Sequence, residues 1–350
     1  MSSRRKKILY VFAAPASFIT KDIRLLSQAF ELITASFNPP HKSFTPLYLL
    51  AQLRLLPALL TCDAIVCQFA GYHSALPLTL GKWFGKPGVI IAGGTDAVSF
   101  PSIGYGNYRK KWLGAFTRWS FRMAKVISPV HASLIQYAYT YQDEDGPAQG
   151  ILHHVPALRA RFQVIPNGYD PTFWQASRPK KPKTFLTVAH IYKHVTLRVK
   201  GIDLLLEVAP HFPDCHFVIA GVAWEFELPD LPSNVITVGP QTPAQLRDVY
   251  SEASYYLQLS ISEGFPNALC EAMLCECIPV GSAVGAIPDI VGDTGFILKK
   301  RDAGELRELL ITALSANPDL GLKARQRIAT NYTEKHRQTD LLGLIQSLTL

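Results

Sequence analysis

The chain has 350 residues, 48% of them hydrophobic and 18% charged, with a formal net charge of +8. That length exceeds what one core usually supports and predicts two domains, and the composition excludes intrinsic disorder. The positive balance favours an anionic partner, which could be nucleic acid, a phospholipid surface or a phosphorylated substrate.

The opening MSSRRKKILYVFAAPASF has the outline of a signal peptide. Its run ILYVFAA is short for such a segment and leads into the charged TKDIRLL, so a first buried strand is the expectation. Further strands are predicted at FELITASF, DAIVCQF, GVIIAGG, KVISPV and RFQVIP. Between them KDIRLLSQAF, PLYLLAQLRLLPALL, SALPLTLGKWFG, YRKKWLGAFTRWSFRMA and ASLIQYAY are each long enough for a helix. Continuous apolar strands alternating with helices predict a parallel sheet covered on both faces, a Rossmann-like layer. QDEDGPAQG (142–150) reads as an exposed loop, and IPNGYDPTFWQASRPKKPK (165–183) as a linker. The alternation then restarts with strands TFLTVAH, CHFVIAG, VITVG, YYLQLS and CIPVGS and helices GIDLLLEVAP and PAQLRDVYSEA, a second such layer. GELRELLITALSA and KHRQTDLLGLIQSL read as closing helices. Ligands of open parallel sheets bind at the carboxyl ends of the strands, so the site is expected in a cleft between the halves.

The basic tips RRKK (4–7) and KKPK (180–183) fit a solvated tail and a linker, or attraction to a membrane surface. Six cysteines (62, 67, 215, 270, 275, 277) lie in apolar contexts without a CxxC pair or a His partner at metal spacing, which predicts buried free thiols in a reducing compartment. No later run offers the ~18 apolar residues of a membrane span, so the chain is expected to be soluble or peripheral.

A nicotinamide or flavin enzyme would need GxGxxG after a strand, but the first turn, VFAAPASF, has no glycine and IGYGNY follows no strand. A Walker A loop, a zinc deaminase signature and a GxSxG elbow are also missing from the sequence.

EGFPNALCEAMLCECIPVGS (263–282) carries the chemistry. The strand in YYLQLSISEGF runs into a loop, and Pro266 suits the first position of a helix because its missing N–H is an orphan there. The amides of Asn267 and Ala268 then point out of a helix N-terminus, where donors and dipole favour a phosphate. Glu263 lies beside that point and Glu271 one to two turns inside the helix. Two carboxylates flanking an anion site suit hydroxyl groups, such as a sugar on one side of a diphosphate and a ribose on the other.

This stretch resembles the Glu-x7-Glu signature of retaining nucleotide-sugar glycosyltransferases of the GT-B fold, glycosyltransferase family 4. IPNGYD, TVAHIYKHVTLRVKGIDLLLEVA, VIAG and GPQTPAQLRDVYSEA precede it and IPVGSAVGAIPDIVGDTGFIL continues it in the family's order. The resemblance covers most of residues 162–300. It implies an α/β chain with two Rossmann-like domains facing across a cleft. Residues 1–166 would bind the acceptor and 167–330 the nucleotide sugar, with a C-terminal helix, 331–350, packing back on the first domain.

By the same resemblance Glu263 would bind hydroxyls of the donor sugar and Glu271 the ribose. Gly264, Phe265, Pro266, Asn267, Ala268 and Leu269 would form the donor-binding run between them, and Gly221 would allow close approach at a strand end. Lys200 would neutralise the diphosphate as it leaves. The family's usual Gly-Arg is replaced by Ala189-His190, and its arginine would be substituted by His190, Lys193 or Arg198, with Arg198 favoured because it lies two residues before Lys200. Pro266 stands where many relatives have glycine, as does Glu276. In the first half the family's Gly-rich loop is missing. Asp96, in AGGTDAVSF, is the candidate to position an acceptor hydroxyl, with turn capping as the alternative. His73 is a second candidate, with a core or helix-capping role as its alternative. Lys200, Glu263 and Asp96 are thus the candidate catalytic residues.

The implied reaction moves a sugar from a nucleotide diphosphate, UDP or GDP, to a hydroxyl of a glycan or lipid-linked acceptor with retention. By the resemblance it uses no cofactor and no metal, because Lys200 and the helix N-terminus supply the positive charge. A surface-polysaccharide or lipopolysaccharide role would place the protein in the cytoplasm, with peripheral attachment to the inner membrane face. Trp112 and Trp119 would serve that attachment if exposed and the core if buried. The rival readings are an inverting transferase, a hydrolase or epimerase of the same fold, or a non-catalytic sugar-nucleotide binder. A nucleic-acid partner rests only on the basic tips and is not expected.

Overall fold

The apolar runs pair as two parallel sheets in a computed structural model that describes residues 4–39, 41–228 and 230–349. The strands in chain order are β1 (Lys7–Phe12), β2 (Glu31–Ser36), β3 (Ala64–Gln68), β4 (Gly88–Ala92), β5 (Val126–Pro129), β6 (Tyr137–Ala138), β7 (Ala148–Gln149), β8 (Arg161–Phe162) and β9 (Lys181–Ile191). They continue as β10 (His216–Val222), β11 (Val235–Val238), β12 (Ala253–Gln258), β13 (Ile278–Ser282) and β14 (Phe296–Leu298). The first sheet has the order β2-β1-β3-β4-β5-β8 and the second β11-β10-β9-β12-β13-β14, every pairing within them parallel.

Burial explains the pattern. β3 and β4 are buried at every position, as strands covered on both faces must be, whereas edge strand β2 has no fully buried residue. Each sheet reverses its strand order beside its first strand, between β1 and β3 in one and between β9 and β12 in the other. Loops at the carboxyl ends there form the crevice in which such folds bind ligands. Two Rossmann-like domains therefore face each other across a cleft, as the sequence predicted.

The closing helix, Glu334–Thr349, returns to the first domain. Arg337 donates to both carboxylate oxygens of Asp22, at 2.6 and 2.5 Å, and to the carbonyls of Ile165 and Pro166. Both side chains are almost wholly buried, at 2% and 1% exposure. A buried pair of this kind fixes geometry, because neither charge can lose its partner without a large desolvation cost.

Several expectations are corrected. ASLIQYAY is a 3-10 turn (Ala132–Leu134) followed by β6, which pairs antiparallel with β7, so the end of the expected loop 142–150 is ordered strand with Gln149 buried. The linker is packed: Tyr169 and Trp174 are buried, and Lys180 donates to the carbonyls of Tyr250 and Cys275, so the first lysine of KKPK is neither solvated nor membrane-facing. PLYLLAQLRLLPALL is broken into helices Thr45–Ala51 and Leu56–Thr61 around a 3-10 turn. All six cysteines are buried free thiols. Among the described residues no helix is long and apolar enough to cross a membrane.

Candidate functional site

Lys200 reaches the cleft through a close backbone approach. It follows the helix His194–Val199, and Gly201 after it has φ +68, with the position of a Cβ only 2.1 Å from the Leu259 carbonyl. Only glycine allows that contact and that left-handed turn together. A hydrogen bond from Ile261 N to the Val199 carbonyl locks the same junction. The Lys200 ammonium is thereby set 2.5 Å from Glu263 Oε1. The same oxygen accepts from Ser260 Oγ at 2.8 Å and Gln258 Nε2 at 3.2 Å, so Glu263 is held by three donors.

The helix after Glu263 spans Asn267–Leu274, with Pro266 as its cap at ψ 110 and not as its first residue. The difference is one position, because Pro266 stays extended. Asn267 Oδ1 accepts from Asn167 Nδ2 at 3.1 Å and Tyr169 Oη at 2.7 Å, which ties the helix start to the NGYD segment entering the second domain. Glu271 accepts from Tyr250 Oη at 3.2 Å. Burial pushes its carboxyl up to about 7, against the opposing pull of Lys21 and the Tyr250 hydrogen bond.

Lys200, His190, Asn267, Ala268 and Glu271 line one cavity of about 860 Å³ between the domains. Lys21 and Glu334 close its other side from the first domain and the returning helix. Lys21 donates to the Gly168 carbonyl at 2.8 Å and pairs with Glu334 at 3.5 Å. Of the three carboxyls on its wall Glu334 is paired with Lys21 and Asp170 accepts from Thr172, so the cavity offers a helix N-terminus, two ammonium groups and the half-buried Glu271 carboxyl, which suits an anion flanked by hydroxyls. Among the described residues no group of three or more His, Cys, Asp and Glu side chains is placed to hold a metal ion.

The other predicted residues lie elsewhere. Arg198 pairs with Glu144 at 2.7 Å, and Lys193 lies 4.9 Å from the Tyr192 ring, so among the three stand-ins for the family's arginine His190 is the one on the cavity wall. Leu269 is core, and Phe265 is buried 5.2 Å from the Tyr332 ring. Gly221, φ +94, sits at a bulge in β10 over the Ala189 carbonyl. Gly264 faces the first domain, where a Cβ would lie 2.1 Å from the Gly93 carbonyl. Beneath that contact Asp96 is fully buried, accepting from the amides of Ala70, Gly93 and Gly94. This is the turn-capping alternative for Asp96, and its carboxylate has no open side for an acceptor. His73 is likewise buried, its Nε2 2.6 Å from the Gln68 carbonyl.

Sequence reasoning missed Lys21, Glu334 and the interdomain pair His131–Asp289, whose Nε2–Oδ2 distance is 2.9 Å. Their partners are more than 100 residues away in the chain, which no local pattern signals. It also missed Phe69 at the end of β3, a non-glycine residue with φ +66 whose ring packs on Phe18 of the cavity wall and over Gly93. Such backbone strain concentrates at functional clefts.

Residues 170–335 match the profile of the family described as "Glycosyl transferases group 1". The chain is 32% identical over 174 residues to the phosphatidylinositol N-acetylglucosaminyltransferase gpi3 subunit of Schizosaccharomyces pombe, covering 47% of this chain and 38% of that one. It is 31% identical over 195 residues to the trehalose synthase of Pyrococcus horikoshii, covering 54% and 46%. The matches thus span less than half the length of these relatives. A solved sucrose-phosphate synthase from Thermosynechococcus elongatus superposes with a TM-score of 0.74 at 14% identity, over 98% of this chain and 99% of that one, which supports the two-domain fold.

Proposed function

We propose that this chain, which belongs to the glycosyl transferases group 1 family through residues 170–335, transfers a sugar from a nucleotide diphosphate to a hydroxyl with retention of configuration. The observation that carries this reading is the cavity where Lys200, the start of the Asn267–Leu274 helix and Glu271 converge. The diphosphate would sit on the helix N-terminus and the Lys200 ammonium, with the ribose on Glu271 and the sugar beside Glu263. Swinging from Glu263 to the diphosphate, Lys200 would free the carboxylate for sugar hydroxyls. His190 would supply the second polar contact to the phosphates.

In the reaction the bond from the anomeric carbon to the phosphate oxygen breaks and a bond to the acceptor oxygen forms on the same face. The acceptor proton passes to the departing diphosphate oxygen, so the protein contributes charge stabilisation and positioning. We take UDP or GDP as the nucleotide and a glycan or lipid-linked molecule as the acceptor. A role in cell-surface polysaccharide or lipopolysaccharide synthesis, at the inner face of the plasma membrane, is supported by the +8 charge and by exposed Trp83 and Trp112.

The test is release of nucleoside diphosphate from a panel of nucleotide sugars supplied with membrane extract as acceptor. One nucleotide class should turn over, and Lys200→Ala should slow it by about 10²–10³-fold. Binding without turnover in any extract would favour the non-catalytic alternative.

A further inference from the structure

A second cavity, of about 350 Å³, opens at the carboxyl end of the first sheet. Val11 of β1 and Ser36 of β2 form its floor, and the segment carrying Tyr48, Gln52 and Arg54 roofs it. Tyr48 packs edge-on against Phe37 at 5.6 Å and holds the roof down. The loop that leaves β1 leads to Ser17 and Phe18, which line the interdomain cavity, so both cavities open on the same end of the sheet.

This pocket holds an unmet hydrogen-bonding group. Gln52 is only 5% exposed; its Nε2 donates to the Tyr72 carbonyl at 3.1 Å, while its buried Oε1 has no partner. A buried acceptor without a donor is destabilising, and a ligand hydroxyl would satisfy it. His73, also on the wall, is buried and kept neutral by that burial, its Nε2 engaged at the Gln68 carbonyl. Arg54 is exposed and, among the described residues, has no ion-pair partner. One unpaired guanidinium beside a hydroxyl-seeking acceptor matches a polyol that carries a phosphate.

The outer side of the same roof is apolar. Phe44, Leu47, Leu50 and Leu53 recur every three residues along a helical segment interrupted by a 3-10 turn, and they are 46%, 60%, 66% and 46% exposed. Leu60 adds to them at 57%. An apolar stripe directly above a polar, cationic pocket is the layout of a surface that meets an amphiphile.

We propose that this cavity binds the phosphate-bearing polyol head of an amphiphilic acceptor, whose apolar chain lies along Phe44, Leu47, Leu50 and Leu53. The inference rests on the transferase reading for the word acceptor; the binding site itself does not depend on it. Arg54 holds the phosphate, Gln52 Oε1 accepts a polyol hydroxyl, and the leucines face the bilayer from which the molecule is drawn.

The experiment uses the full chain and two kinds of probe. Thermal shift is measured with sn-glycerol 3-phosphate and myo-inositol 1-phosphate, and co-sedimentation with vesicles of phosphatidylcholine alone or mixed with phosphatidylglycerol or phosphatidylinositol. We expect at least one soluble head group to stabilise the protein and Arg54→Ala to weaken it about tenfold, the loss of one charge-assisted hydrogen bond. Vesicle binding should require an anionic polyol lipid. The exposed-site variant Leu47→Ser/Leu50→Ser should lose vesicle binding while keeping the soluble head group. Head groups that do not bind, or vesicle binding indifferent to Arg54→Ala, would overturn the proposal; so would head groups that bind without any vesicle binding, which makes the ligand a soluble polyol phosphate. Nucleoside diphosphate binding is followed in parallel. Its failure alongside intact head-group binding refutes the donor reading and leaves this site standing.

Discussion

Lys200 Nζ lies 2.5 Å from Glu263 Oε1, so the cation assigned to the diphosphate and the carboxylate assigned to the sugar neutralise one another across the cleft edge. A pair that must part to bind its ligands couples the two subsites. Lys200→Ala should lower kcat by about 10²–10³-fold, the range for losing one preorganised group that stabilises developing charge. Glu263 keeps Ser260 and Gln258 as donors, so the same change should cost only about 1–2 kcal/mol of stability. Steady-state kinetics beside urea unfolding check both, and a large fall in stability with unchanged kcat would make the pair purely structural.

The Glu271 carboxyl gives a pH dependence of definite sign. Burial raises it from 4.5 to about 7, so in that window the folded chain holds a proton that the unfolded chain has released. Stability attributable to this group is full at low pH and is lost as pH rises through about 7. Relative to Glu271→Gln, the wild type should therefore lose about 1–3 kcal/mol between about pH 5 and about pH 8. Urea midpoints of both proteins across that range test it, and parallel profiles would contradict it.

The interdomain tie makes a prediction about stability. Asp22→Ala leaves the Arg337 guanidinium buried without its carboxylate and should cost about 3–5 kcal/mol. Replacing both residues with leucine should recover most of that loss. A double-mutant cycle in urea measures the coupling, and limited proteolysis of the Glu334–Thr349 helix should be faster in Asp22→Ala alone.

Much of this architecture was legible in the chain itself. β3 and β4 are continuous apolar runs because both faces of their sheet are covered, and Lys200, Asn267, Ala268 and Glu271 meet because strand ends and a helix start converge at a reversal of strand order. What stayed hidden depends on distant partners or on backbone shape. Arg337 and Asp22 are separated by 315 positions, and Lys21 looks like any helix-face lysine until the returning helix brings Glu334 to it. Arg198 was attractive by its proximity to Lys200 in sequence, yet the helix His194–Val199 carries it away to Glu144. Asp96 had the polarity of a catalytic group, but three amides below the Gly93–Gly94 turn claim it.

Glu276 shows how backbone shape reads as a departure in sequence. The family resemblance implies glycine at this place, and the Glu276 φ is +66, the left-handed region that costs a side chain about 1–2 kcal/mol. Glu276→Gly should stabilise the protein by about 0.5–1 kcal/mol, since part of that relief is offset by added freedom in the unfolded chain. Thermal unfolding measures this, and nucleotide affinity should not change.

The central claim is that the cavity bounded by Lys200, Glu271 and the Asn267–Leu274 helix is a nucleoside diphosphate site. Calorimetric titration of UDP, GDP, ADP and TDP into the wild type and Glu271→Ala tests it most directly. The account predicts that one of these nucleotides binds the wild type and that, at about pH 8 where the Glu271 carboxyl is ionised, its affinity falls at least about tenfold in the variant, the loss of a ribose contact to a charged group. A wild type that binds none of the four, or a nucleotide that binds both proteins equally, would contradict it.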